Sequence, residues 1–174
     1  MLHTYITQVQ DVRPDGNCGF RAIAACLGLH QDDWSRIQSD LLYELYARIF
    51  DTEYTRIFDT EINELQKSLN FFGLGFAPPQ HWMIMPNTGL LIANRYGVIV
   101  HCLSIQGSVT CFPLWFNPLE SQQHVAIAIA YVHGNHYVKV KLQGWYPKCL
   151  LLCYYGFTSN ISVQLDRKPR IWLD

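Results

Sequence analysis

The chain has 174 residues, a formal net charge of −1 and no run of Lys or Arg. Proteins that grip a nucleic-acid backbone carry a clustered basic face, so no nucleic-acid partner is expected. No apolar run approaches the roughly 18 residues that a membrane helix needs, so no membrane span is expected. The opening Met1-Leu2-His3-Thr4-Tyr5-Ile6 has no basic stretch leading into an apolar core, and no secretory leader is expected. The six cysteines, at 18, 26, 102, 111, 149 and 153, include no Cys-x-x-Cys pair. Cys149 and Cys153 are spaced by three residues, His133 and His136 by two, and neither pair has a matching pair. No structural zinc site, and no other metal or cofactor, is expected. A chain of this size needs no disulfide staples, so the thiols read as reduced and the compartment as cytoplasmic or nuclear. Repeats and low-complexity segments are absent.

What is present is a globular composition, 49% apolar and 14% aromatic, suited to one domain over residues 1–174. Residues 4–12 alternate weakly and predict a short strand. Asp32 or Asp33 is the expected cap of a helix whose apolar positions Trp34, Ile37, Leu41, Leu42, Leu45, Tyr46, Ile49 and Phe50 fit a 3.6-residue period. A second amphipathic stretch runs from Tyr54 to Leu69. Asn87 or Thr88 is placed to cap a helix through Tyr96, stopped by Gly97. From there the period changes. Val98–Leu103, Val109–Leu114 and His124–Val132 predict buried strands, with a polar loop over 116–123. His133-Gly134-Asn135 reads as a short hairpin loop and His136–Leu142 as the return strand. Helices first and strands after predict an α+β layer architecture.

Two places carry chemistry. Asp15-Gly16 is a turn dipeptide, because glycine takes positive φ without steric cost. Asn17 is a strong N-cap type. A helix from Cys18 to about Leu27 follows, with Gly28 at its C-terminal stop. Cys18 therefore sits at a helix N-terminus, where the dipole favours thiolate. The second place is His136. In the last strand His136, Val138, Val140 and Leu142 share one face, and Tyr137, Lys139 and Lys141 the other. The lysines are expected to face solvent, so His136 is expected to point to the core at the strand's first residue, as a general base would.

Asp15-Gly16-Asn17-Cys18-Gly19-Phe20-Arg21-Ala22, together with Gly134-Asn135-His136-Tyr137-Val138, resembles the paired boxes of the ovarian-tumour (OTU) family of cysteine proteases. Trp82-Met83, Ile92-Ala93, the strand Val98–Leu103 and Phe112-Pro113-Leu114 fall in the same order as similar family pieces. The resemblance covers roughly residues 10–145, with 146–174 an aromatic tail expected to pack on that core, Trp172 docking near its end. It implies a papain-like OTU fold, a small central β-sheet packed between helices. It also implies hydrolysis of isopeptide bonds at the C-terminal glycine of ubiquitin by a monomeric enzyme. The partner is then ubiquitin or polyubiquitin, or another ubiquitin-like modifier. By the same resemblance Cys18 is the nucleophile, His136 the general base and Asp15 a motif member. The backbone of Asp15, Gly16 and Cys18 would form the oxyanion hole. The departure is at position 138, where many relatives place Asp or Asn to orient the histidine; valine cannot accept a hydrogen bond. Asp11 is a candidate substitute, and a backbone carbonyl is another. Gly19 stands where many relatives have a larger apolar residue and is expected to leave room at the cleft. The alternatives are an OTU-fold ubiquitin-binding module with little or no turnover, or a viral or mobile-element protease acting on a polyprotein or another modifier, in a host cytosol.

Overall fold

A computed structural model describes residues 5–48, 51, 57–58, 61–73, 75–114, 125–143 and the backbone of 153–155. The expected first half of the 54–69 helix lies for the most part outside the described residues. The 116–123 loop, Trp172 and all of the 146–174 tail except 153–155 lie outside them too. The elements are β1 (Ile6–Gln10), α1 (Cys18–Cys26), α2 (Trp34–Arg48), α3 (Ile62–Leu69), α4 (Asn87–Tyr96), β2 (Ile99–Ser104), β3 (Val109–Cys111), β4 (Ala126–Val132), β5 (His136–Leu142) and β6 (Cys153–Tyr155). They form the expected α+β arrangement, with a mixed sheet in the order β1-β5-β4-β2-β3-β6. β4 runs parallel to β2 and β6 parallel to β3, while the other neighbours are antiparallel.

The helices bury their apolar stripes together. Phe20, Ile23 and Ala24 of α1, Ile37, Leu41 and Leu45 of α2, Leu65 and Leu69 of α3, and Leu90, Leu91 and Ile92 of α4 join Val100, Cys102, Ile127, Ile129 and Tyr137 of the sheet in one core. Each such large side chain contributes about 1.5–3 kcal/mol by leaving water. A smaller cluster occupies the other face of the sheet: Leu103, Ala128, Ala130, Val138 and Val140 are buried there, with Tyr5, Ile6, Val132 and Leu142 packed against them.

This two-sided burial corrects the face assignment made from β5. The lysine face is the one that meets α1, and the His136 face belongs to the smaller cluster. Lys139 is accommodated because its Nζ donates to the Ala25 carbonyl at 2.8 Å, beside the Gly28 N–H that this oxygen also accepts, and complements the dipole at the end of α1. Alternation gives the partition of a strand into two faces, but a sheet covered on both sides does not reveal which is which.

Local corrections follow similar logic. Asn17 precedes α1 but makes no side-chain cap; the Asp15 carboxylate instead accepts from the Asn17 N–H at 3.1 Å. The cap before α2 is His30, whose Nδ1 accepts from Asp32 N–H while Asp33 accepts from His30 N–H, so a 3-10 turn over Gln31–Asp33 leads the helix. α4 opens without a side-chain cap, and Gly97 closes it at φ +62° as expected.

Candidate active site

α1 begins at Cys18 directly after a turn whose shape only glycine permits. Gly16 has φ +81°, and a Cβ there would lie 2.3 Å from the Ala77 carbonyl oxygen and 2.9 Å from Trp82 Nε1. The segment that crowds it is also bonded to it. Ala77 N–H donates to the Asp15 carbonyl at 2.8 Å, and Trp82 Nε1–H donates to the Ala77 carbonyl at 2.8 Å. Gly19 lies flat against Met83, whose Cε, Cβ and Sδ approach its would-be Cβ to 2.5, 2.8 and 3.0 Å. The space expected to open at the cleft is therefore filled by Met83.

The Asp15 carboxylate does not face an oxyanion position. It forms a bidentate pair with Arg21, whose Nε sits 3.1 Å from both carboxylate oxygens and whose Nη2 sits 2.5 Å from Oδ2. Arg21 Nη1 reaches Asp32 Oδ1 at 2.6 Å and the Gln31 carbonyl at 3.0 Å. The Arg21 side chain is 3% exposed and its guanidinium lies 5.5 Å from the centre of the Trp34 ring. One buried cation thus pins the turn before Cys18 to the start of α2. Asp15 N–H donates to the Arg13 carbonyl at 3.1 Å.

Cys18 is 6% exposed. Burial pushes its thiol above the ordinary value, and the Asp15 charge adds to this; the N–H groups of Tyr137, Gly19 and Cys18 itself pull the other way without prevailing. The helix start alone does not make a resting thiolate, because desolvation of a charged sulfur outweighs a half-charge of dipole. The Tyr137 N–H contact puts the sulfur beside the first residues of β5, where His136 stands. His136 Nε2 is 2.8 Å from Asp11 Oδ1, and Nδ1 is buried with no hydrogen-bond partner among the described residues. Asp11 Oδ1 also accepts from Val12 N–H at 2.8 Å. The His136 hydrogen bond and then that N–H hold the Asp11 carboxyl below the usual range, against a small opposing effect of burial. Of the expected residues, His136 and Asp11 are in direct contact, Cys18 lies beside the N–H of the residue that follows His136, and Val138 is buried in the smaller cluster.

This fold is shared with known structures. It matches the OTU domain of OTUD1 with a TM-score of 0.53 at 14% identity, over 76% of this chain and 84% of that one. The viral OTU domain protease of Taggert virus matches at 0.55 and 18% identity, over 82% and 83%. The Hazara virus OTU bound to ubiquitin matches at 0.50 and 12%, over 83% and 86%. The fold is that of OTU domains. No family model matches the sequence, and no curated protein matches it.

Within this OTU fold, the contacts that shape the site were not foreseen from sequence. Arg21 carried a signal: it is the one basic residue in the otherwise apolar α1, six positions after Asp15. Asp32 was expected as a cap and Met83 only as part of a family-like piece, and Ala77 was not singled out; their contacts with Arg21, Gly19 and Gly16 depend on tertiary approach. A groove of about 600 Å³ lies away from Cys18, at the far end of α1; Cys26, Lys139, Lys141, Gln8 and Gln10 help to line it.

Proposed function

We propose that the protein is a thiol-dependent deubiquitinase that hydrolyses isopeptide bonds at the C-terminal glycine of ubiquitin. The observation that carries this reading is the His136 ring: Nε2 is bonded to Asp11, and Nδ1 is buried without a partner among the described residues, one residue before Tyr137, whose N–H meets the Cys18 sulfur. With Asp11 ionised, Nε2 carries the proton that it shares with the carboxylate, and Nδ1 carries the lone pair. Nδ1 is then the base for the Cys18 thiol proton. A thiol held neutral at rest by burial is converted to thiolate only as the imidazole takes its proton, giving an ion pair oriented by Asp11. The sulfur attacks the glycine carbonyl. The oxyanion forms against the Gly16 and Cys18 N–H groups, and donors of this kind contribute about 3–4 kcal/mol to the transition state. Collapse expels the lysine amine, which takes the proton from His136 Nδ1. Water, deprotonated by the same nitrogen, hydrolyses the thioester, releases the ubiquitin carboxylate and restores the thiol.

The ubiquitin-bound state of the Hazara virus OTU supports ubiquitin as the partner. The four described cysteines are free, in keeping with a reducing, cytoplasmic or nuclear setting for a thiol enzyme. The test is a ubiquitin probe bearing a C-terminal electrophile, followed by a panel of diubiquitin linkages. Wild type is expected to form one covalent adduct and to cleave diubiquitin, and Cys18→Ala to do neither. A wild type that stays unmodified beside a reactive OTU enzyme refutes the proposal. A second reading is favoured by the low exposure and raised thiol of Cys18: a ubiquitin-binding module without turnover. Ubiquitin binding with no adduct at any pH would establish it. Reaction with a probe built on another modifier, and not with the ubiquitin probe, would place the same chemistry on a ubiquitin-like substrate.

A further inference from the structure

β1 ends the sheet: among the described residues no strand lies beyond it, and its outer N–H and C=O groups have no ladder partner. Natural edges of this kind are usually blunted by Lys, Pro or inward charge. Here the sequence over Ile6–Gln10 is Ile-Thr-Gln-Val-Gln, exposed along its last four residues. A register shift between Ile6 and Gln8 confines the regular edge to Gln8, Val9 and Gln10.

The register fixes what an added strand would meet. On the face that carries α1, Gln8 pairs with Lys141 and Gln10 with Lys139. This face forms the outer wall of the 600 Å³ groove, which Cys26 and Ile127 close on the inner side. The groove holds two lysines and two glutamines and, among the described residues that line it, no carboxylate. On the opposite face Val9, 58% exposed, stands between the glutamines beside Val140. Lys139 and Lys141 are two residues apart on one strand, so they are separated by about 6.7 Å, as are alternate residues of any extended chain.

We propose that the β1 edge and this groove form a docking site for an extended segment of a partner protein in which acidic residues alternate with apolar ones. The segment adds to Gln8–Gln10 as a further strand. Its carboxylates lie beside Gln8 and Gln10 and reach the two lysines, and its intervening apolar side chain covers Val9. Main-chain bonds supply attachment and the charge pattern supplies selection and register. The site is separate from the Cys18 thiol and does not rest on the proposed hydrolase activity.

The test uses the full chain carrying Cys18→Ala and a fluorescent peptide of sequence Glu-Val-Glu-Val-Glu, with Glu-Glu-Glu-Val-Val as an isomer of equal charge. Saturable anisotropy for the alternating peptide is expected, at least about tenfold tighter than for the isomer and weakened by salt. Lys141→Glu, on an exposed side chain that holds nothing else in place, is expected to lower the affinity at least about tenfold. Hydrogen exchange is expected to slow at Gln8–Gln10 on binding. Equal affinity for the two peptides, undiminished binding by the Lys141→Glu chain, or no saturable binding overturns the proposal. Adduct formation by wild-type Cys18 is read separately, so failure of one reading leaves the other intact.

Discussion

Removing Asp11 tests how the histidine is oriented. The Asp11 side chain is 78% exposed and the His136 side chain 15% exposed, with Nε2 and Oδ1 2.8 Å apart. The carboxylate therefore acts largely through water. Two unit charges at about 4 Å in that medium interact by about 1 kcal/mol, equivalent to about fivefold in rate. Asp11→Ala loses this stabilisation of the imidazolium, together with the acceptor that keeps the proton on Nε2. The expected fall in kcat/KM is about five- to twentyfold, far short of the thousandfold or greater loss from a buried acid. Asp11→Asn keeps an acceptor oxygen and loses only the charge, so it is expected to fall within about fivefold of wild type and to recover further as salt screens the wild-type pair. The assay is hydrolysis of a fluorogenic ubiquitin C-terminal amide across pH and ionic strength, with thermal unfolding of each variant alongside. Neither substitution should move the melting temperature by more than a degree or two, because an exposed pair contributes little to stability. A folded Asp11→Ala protein with unchanged kcat/KM would falsify the orienting role. A folded protein with a thousandfold loss would show that Asp11 acts on the reacting atoms and not through a screened charge.

Gly19→Ala puts a methyl group into Met83 and is expected to cost about 1–3 kcal/mol in urea unfolding; adding Met83→Ala should return part of that cost, and a strictly additive double variant would refute the contact. Arg21→Met leaves the Asp15 carboxylate without its buried partner and is expected to destabilise by about 3–5 kcal/mol at neutral pH. Burial tends to raise the Asp15 carboxyl, but the Arg21 hydrogen bonds, the Asn17 N–H and the Arg21 charge outweigh it, so the folded value lies below the ordinary 3.8. Its contribution is therefore complete above pH 3.8 and lost as pH falls through the lower folded value. The stability gap between wild type and Asp15→Asn should be flat above about pH 5 and close below pH 3.8; a gap that widens on acidification contradicts that sign.

The sequence made the nucleophile end legible because its determinants are local. Gly16 announces positive φ, Cys18 follows it by two residues, and the apolar spacing of Ile23, Ala24 and Leu27 predicts a helix. The hairpin that presents His136 was legible for the same reason, a three-residue loop with positive φ at His133 and Gly134. The cap was misplaced because Asn17 and Asp15 are both cap-forming types two residues apart, and the buried Arg21 decides between them by fixing the Asp15 side chain. The lysine face was misassigned because a charged residue was taken to mean solvent. Lys139 instead ends on the Ala25 carbonyl, and a long aliphatic stem can cross an apolar layer to reach such a group.

The missing acid is the clearest case of a feature that no local pattern can carry. Val138 cannot orient His136, and its place in the sheet shows where an acid can reach the ring instead. The ladder between β1 and β5 pairs Gln10 with Lys139, so the next step along it brings Asp11 opposite Val138, on the sheet face that His136 shares. An acid two residues after the histidine on the same strand and an acid across the ladder from that position approach the imidazole from neighbouring points, because cross-strand partners are about 4.5–5.5 Å apart. In this chain the carboxylate that meets His136 comes from the end of β1, and Val138 buries an apolar side chain in the smaller cluster. This placement has a consequence for control. An acid on β5 would be held by neighbours on both sides of its strand, whereas Asp11 depends on an edge strand paired on one side only. Orientation of His136 is then tied to how firmly β1 docks, and anything that pairs with its outer edge acts on the same strand that delivers the carboxylate.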